Sequence, residues 1–366
     1  MSLNEGVGSI ILNFRLKPFP AFPAFPPANC LNMKGSVLKL VSTSVGWPKP
    51  EREGLLHAAL GDYAEAIPAW EDFLREQGLD GLDDRTRDML PQVYRNLVRH
   101  EYAGLEALRE IADEARGRSE ALLAERMPVM RHLHEAHIST ILLPGATFGL
   151  LVPSNAWGPA RELLTRQGWR AEAGWPTSLT PTQQRYRHAI ELTSPTGLRL
   201  NLHWHLLHQS RGPRADEGFW KRAWPAGLGM DRCLRLSPTD QLLEICAQDD
   251  AAGRWVCQAM MTIRAGKIDW ELLLERARQH DVDRPLRDAL RYLRESFHAP
   301  VPRSVIWRLR RARVSQLARM EYGLLTTYRD YGRGVRDWPW LRRLLGFPAY
   351  LAFSFRVAGP RRITGN

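Results

Sequence analysis

The sequence predicts an α+β protein that is mostly helical, with a small mixed sheet in its middle. Apolar residues recur at three- and four-residue intervals from Glu51 to about His134 and again after Arg211. Between those stretches lie two pairs of β-rich runs, each pair joined by a Pro/Gly turn. A helical period that gives way to strands and then returns is the pattern of helices flanking a sheet.

The elements follow in order. Residues 1–50 read as a disordered leader, or as translated upstream sequence with Met33 as the true start. Glu5 is the one acid in the first 47 residues, and prolines at 18, 20, 23, 26 and 27 would break the apolar core of a signal peptide. From Glu51, Leu56, Ala59, Leu60, Tyr63, Ile67, Trp70 and Leu74 mark helix, with a break at Gly61-Asp62 and a disturbance at Pro68. Met89, Leu90, Val93 and Leu97 line a second helical face. A third runs from Leu105 to about His134, with Gly117 as a candidate split. Residues 51–134 thus form an N-terminal helical subdomain.

The stretch Ile138 to Ala160 has no charged residue, but Pro144, Gly145, Gly149, Pro153 and Pro159 would break a membrane helix. It reads instead as strands at 138–143 and 148–152 around a Pro-Gly turn, followed by a helix over 156–167 that Gly168 ends. His188 to Leu192 and Leu198 to Trp204 flank Ser194-Pro-Thr-Gly197 as a hairpin. After Arg211, Ser237-Pro238 opens a helix, Gly266 closes the next, Asp269 caps a third, and Asp283 with Pro285 opens a fourth that reaches His298. The core is therefore placed at 135–209, a C-terminal helical subdomain at 210–302 and a basic tail at 303–366.

Charge separates the tail from the rest. The chain has 366 residues and a net charge of +11. Residues 303–366 hold 14 Arg, no Lys and three acids, which accounts for all of that charge and leaves the body neutral. A neutral body disfavours nucleic acid as its partner. The Arg and aromatic residues of the tail, around the uncharged Leu344 to Phe355, suit an anionic membrane surface or a protein partner, or form a last helical layer with solvated arginines. Cys30, Cys233, Cys246 and Cys257 show no C-x-x-C or zinc spacing and read as buried thiols in a reducing cytoplasm.

His132, His134 and His137, and likewise His203, His205 and His208, each offer two convergent imidazoles without a nearby Cys or acid to complete a metal site. No P-loop, Rossmann, nucleophile-elbow or zincin motif occurs.

An ordered series of segments carries more weight. A-I-P-A-W-E-D-F-L, M-L-P-Q-V-Y-R-N-L, I-S-T-I-L-L-P-G, F-G-L-L-V-P, R-H-A-I-E-L-T-S-P-T-G-L-R-L-N-L-H-W-H-L-L, L-S-P-T-D-Q-L-L and K-I-D-W-E-L-L run from about Glu51 to Pro302. Together they resemble the uncharacterised nucleotidyltransferase family, a branch of the DNA polymerase beta-like superfamily. The resemblance implies a small mixed sheet of nucleotidyltransferase type and transfer of a nucleoside monophosphate from an NTP. It also implies two acids, two residues apart on one strand, and a third on a neighbouring strand, which together hold Mg²⁺.

The implied acid positions are neutral here. Thr147 and Gly149 stand in the D-x-D positions, Asn201 stands in the third, and the lysine before the glycine of the turn is replaced in Leu143-Pro144-Gly145. Gly145 is the one candidate nucleotide-contact residue; Glu191, on the first hairpin strand, is the main candidate substitute acid, and Glu135, just before the first strand, is a second. The sequence therefore points to a pseudoenzyme with a binding or scaffold role, with neither a catalytic residue nor a cofactor expected. Two alternatives stay open: an active nucleotidyltransferase using displaced acids with NTP and Mg²⁺, or a peripheral membrane or partner-docking protein acting through residues 303–366. The expected location is cytoplasmic or membrane-peripheral.

Overall fold

A computed structural model describes residues 50–143, 148–171, 188–207, 209, 214–247 and 253–312. The leader, Gly145, Thr147, His208 and the tail beyond Ala312 lie outside the described residues. Among the described residues the fold is α+β and mostly helical, around a mixed seven-stranded sheet.

The first helices are placed by their ends. Helix α1 (Pro50–Leu60) stops at Gly61, where an added Cβ would sit 2.6 Å from the His57 carbonyl oxygen. Asp62 then caps α2 (Tyr63–Glu76), accepting from the Glu65 N–H at 3.2 Å. The last carbonyls of α1 would otherwise be orphaned. Asn96, buried in α4 (Leu90–Arg99), donates to Ala58 and Gly61 at 3.0 Å each, and Arg264 donates to Leu60 at 2.7 Å. Helix α2 continues through Pro68, which is exposed and removes one internal hydrogen bond. The short α3 (Asp84–Arg87) is capped by Asp83.

Helix α5 (Glu106–Glu135) is continuous through Gly117. A glycine in a helix interior costs only about 1 kcal/mol against alanine, too little to split thirty residues anchored at both ends. Leu108 and Ile111 join one core, Val129, Met130 and Leu133 join the other, and residues 116–125 between them are exposed.

The sheet strands are β1 (Thr140–Leu143), β2 (Phe148–Leu151), β3 (Arg170–Ala171), β4 (Ala189–Thr193), β5 (Arg199–His203), β6 (Trp224–Pro225) and β7 (Cys233–Arg235). Their order is β3-β4-β5-β2-β1-β7-β6, with β2–β5 and β1–β7 parallel and the other pairs antiparallel. Both strand pairs expected from the sequence are present; β3, β6 and β7 extend the sheet beyond them. At two or three residues these strands are too short to show a period.

The sheet separates two apolar cores. Phe148, Leu150, Ile190, Leu192, Leu200 and Leu202 face one side, against the end of α5 and against α6 (Trp157–Arg166). There Trp204 is fully buried with its ring 5.0 Å from Trp157. Ile141, Leu143 and Leu151 face the other side. That core joins α1, α2 and α4 to α7 (Glu217–Arg222), α8 (Pro238–Ala247), α9 (Arg254–Arg264), α10 (Trp270–Gln279), α11 (Asp283–Phe297) and α12 (Arg303–Arg311). The helices from both ends of the neutral body thus share a single apolar core. Helix α12, the first part of the basic segment, belongs to it through Val305 and Leu309.

The C-terminal helices start and stop on the expected residues. At the head of α8 the Ser237 hydroxyl donates to Asp240 Oδ2 at 2.8 Å and accepts from the Asp240 N–H at 3.3 Å. Asp269 caps α10 by accepting from the Leu272 N–H at 3.0 Å. Gly266, at φ +74°, takes the left-handed conformation that follows α9. Among the described residues no helix is long and apolar enough to cross a membrane.

Candidate functional site

Backbone register brings three of the sequence-selected positions into one line. Gly149 on β2 pairs with Asn201 on β5, and Asn201 pairs with Glu191 on β4. On the far side of Gly149 the line continues to Leu143 on β1. Directly paired residues share a face of a sheet, and neighbours along each strand point the other way. Since Leu150, Leu200, Leu202, Ile190 and Leu192 fill the core beneath α6, this row faces the opposite side.

The row changes character along its length. Leu143 and Gly149 are buried, Asn201 is half-buried and Glu191 is exposed. A Cβ built on Gly149 would lie 3.2 Å from the Leu143 Cβ, so the leucine occupies the room that a side chain at 149 needs. Glu191 faces Arg199, whose Nε lies 3.9 Å from Oε1. Both side chains are largely exposed, and pairs of this kind contribute about 0–1 kcal/mol. Among these three paired positions, only Glu191 supplies a carboxylate and only Asn201 an amide oxygen. Hard divalent cations take six or more oxygen ligands, and a two-cation centre needs bridging carboxylates. Thr147 and Gly145, the remaining sequence-selected positions, lie outside the described residues.

Beside the row stand two imidazoles. His203 follows Asn201 by two residues on β5, and its ring centroid lies 5.5 Å from that of His188. Burial pushes both down, His203 to about 3 and His188 to about 4, with His188 further disfavouring charge on His203 and His205 further disfavouring charge on His188. Both rings are therefore neutral at pH 7. No cluster of three or more His, Cys, Asp or Glu able to hold a metal occurs among the described residues. His134 lies instead 3.4 Å from Asp231, and His205 is taken up by a different partner.

That partner is a buried carboxylate that the sequence did not single out. His205 Nδ1 donates to Asp216 Oδ2 at 2.6 Å, while the Leu206 N–H donates to Asp216 Oδ1 at 3.0 Å. Nearby, Arg222 holds Asp240 with two hydrogen bonds, at 3.0 and 2.7 Å. His280 stacks on Phe219 at 5.0 Å and is pushed down to about 4 by burial. The partners in each pair stand on or beside different elements, 11 and 18 residues apart in the chain, so only the packed fold brings them together. They fasten the chain after β5 to the C-terminal helices.

The expected buried thiols are partly realised: Cys233 and Cys246 are buried and Cys257 is half-buried, none in a disulfide. Burial raises all three thiols, that of Cys257 to about 12. They are protonated and poor nucleophiles.

Neither a curated protein nor a solved structure matches the chain. Residues 148–298 match the family model described as uncharacterised nucleotidyltransferase. The match starts at Phe148, the first residue of β2, and ends at His298, the left-handed residue that closes α11. It therefore holds β2 to β7 and the helices through α11, with Gly149, Asn201 and Glu191 inside it. Over those residues the chain is similar to the uncharacterised nucleotidyltransferase family.

Proposed function

We propose that this nucleotidyltransferase-family domain has lost the carboxylates that hold catalytic metal ions and acts as a pseudoenzyme, keeping the scaffold for binding. The observation that supports this most directly is the row Gly149–Asn201–Glu191, which offers one carboxylate across three paired strands. The family resemblance implies acids at Gly149 and Asn201. Gly149 also has Leu143 packed against the volume an acid would fill. Glu191 stands at the open end of the row with Arg199 beside it, and a guanidinium there opposes a cation. With His203 and His188 neutral, the face carries hydrogen-bonding groups and little net charge. Such a face suits recognition better than metal-assisted phosphoryl transfer.

Calorimetry with each NTP, with and without Mg²⁺, together with label transfer from α-labelled NTPs, tests the proposal. The expected result is no transfer and no Mg²⁺-dependent gain in affinity. Mg²⁺-dependent transfer that disappears in Glu191→Gln would replace the proposal with an active enzyme using a displaced acid.

A further inference from the structure

A recess of about 450 Å³ lies among the last helices, apart from the sheet row. It is lined by Arg278 from the last turn of α10, Asp283 from the first turn of α11, and Trp307, Arg308, Arg311 and Ala312 around the end of α12. Trp307, Arg308 and Arg311 lie beyond the residues that match the nucleotidyltransferase family. The family's reaction therefore does not account for them.

Three features of the recess ask for three parts of one ligand. Arg278 and Arg311 are exposed cations, whereas Arg308 is engaged by Glu271. Two guanidinium forks facing one recess suit a phosphate, which accepts paired hydrogen bonds. Trp307 is 52% exposed, and its ring is covered by the Arg311 guanidinium at 3.9 Å. With Arg311 on one face, the exposed indole offers its other face as a stacking platform for a planar ring. Asp283 is only 3% exposed, and its Oδ1 has no hydrogen-bond partner among the described residues. A buried carboxylate oxygen left so lacks a donor, and a ligand N–H supplies one.

The ordinary explanation for arginines at helix C-termini is that they offset the helix dipole. It accounts for Arg278 and Arg311 but leaves the exposed Trp307 and the unpartnered Asp283 oxygen unexplained. We propose that this recess binds a nucleoside monophosphate, with its phosphate on Arg278 and Arg311, its base stacked on Trp307 and a base N–H donated to Asp283. The volume lies within the range of small-ligand pockets, roughly 300–1,000 Å³. Binding here needs no divalent cation, because the guanidinium groups supply the positive charge.

Titration calorimetry on the full chain in EDTA separates this site from any metal-dependent one. The probes are GMP, AMP, ribose 5-phosphate, inorganic phosphate and a 5′-phosphorylated trinucleotide. GMP or AMP should bind, with ribose 5-phosphate and phosphate each weaker by about tenfold or more because they lack the stacked ring. Arg311→Gln and Trp307→Ala, both at exposed positions, should each weaken the mononucleotide about tenfold, and Asn201→Ala should leave it unchanged. Equal or tighter binding of the trinucleotide would identify the ligand as the phosphorylated end of a strand; weaker binding, as the free mononucleotide. Absence of mononucleotide binding, or binding that survives both recess variants, would overturn the proposal.

Discussion

Restoring a carboxylate at Gly149 tests whether the missing acid is a loss the fold has absorbed. Two costs apply to Gly149→Asp. Its Cβ would sit 3.2 Å from the Leu143 Cβ in a buried stretch of β2, and overpacking of that kind costs about 1–3 kcal/mol. The carboxylate would also be desolvated beside a leucine, at a further cost of about 1–3 kcal/mol. Gly149→Ala carries only the first, offset by roughly 0.5–1 kcal/mol because alanine loses less backbone entropy than glycine on folding. The alanine variant should therefore lie within about 2 kcal/mol of the parent, and the aspartate variant about 2–5 kcal/mol below it. At this size that difference corresponds to a fall in Tm of about 3–10 °C. Urea unfolding and calorimetric melting, each with and without Mg²⁺, measure it. If Gly149→Asp were as stable as the parent, or if millimolar Mg²⁺ raised the Tm of Gly149→Asp paired with Asn201→Asp well above that of the parent, a metal centre would still be latent in the row and the argument from Leu143 would fail.

Three other outcomes follow from the packing. Asn96→Ala should destabilise the protein by about 1–3 kcal/mol in urea unfolding, because the buried Ala58 carbonyl loses its side-chain donor and the Gly61 carbonyl is left with His100 Nε2 at 3.3 Å; an effect under about 0.5 kcal/mol would mean that water replaces it. His280, His188 and His203 are held neutral, with pKa values of about 4, 4 and 3 against 6.5 for a free imidazole. The unfolded chain binds the extra protons, so stability should be full above about pH 6.5 and fall between there and pH 4, by up to about 1.4 kcal/mol per pH unit for each group. A His280→Gln variant should flatten that slope, and an unchanged slope would remove His280 from the account. Vesicles rich in phosphatidylserine test the basic segment by co-sedimentation. Since Val305 and Leu309 of α12 are in the core, the truncation should begin at 313; binding that is lost in high salt and lost in this truncation would support membrane docking, and binding that survives truncation would refute it.

The parts of the fold legible in the sequence are those written in local chemistry. Gly61-Asp62, Ser237-Pro238, Asp269 and Gly266 each mark a helix end because the group that satisfies the orphan backbone lies within a few residues. The paired strands at 140–151 and 189–203 were equally plain from their turns. Gly117 misled because a glycine reports a local cost, whereas α5 is fixed by contacts at its two ends. The site was half legible. Gly149, Asn201 and Glu191 could be named, but their pairing in one row depends on β2 lying parallel to β5, across some fifty residues. The room taken by Leu143, the Asp216 partner of His205 and the recess beside Trp307 are properties of packing alone.

Helix α5 has one end in each core and ten exposed residues between, on a rod of about 45 Å. It is the covalent route from the helices before the sheet to the strands, but its middle is held by little except its own backbone hydrogen bonds. A single tryptic nick at exposed Arg116 or Arg118 would cut the chain there while leaving both cores with their own contacts. The two fragments would then stay together as a non-covalent pair, joined through the apolar core that α1, α2 and α4 share with the C-terminal helices. This segment is accordingly the place to divide the protein for complementation, or to open new termini by circular permutation.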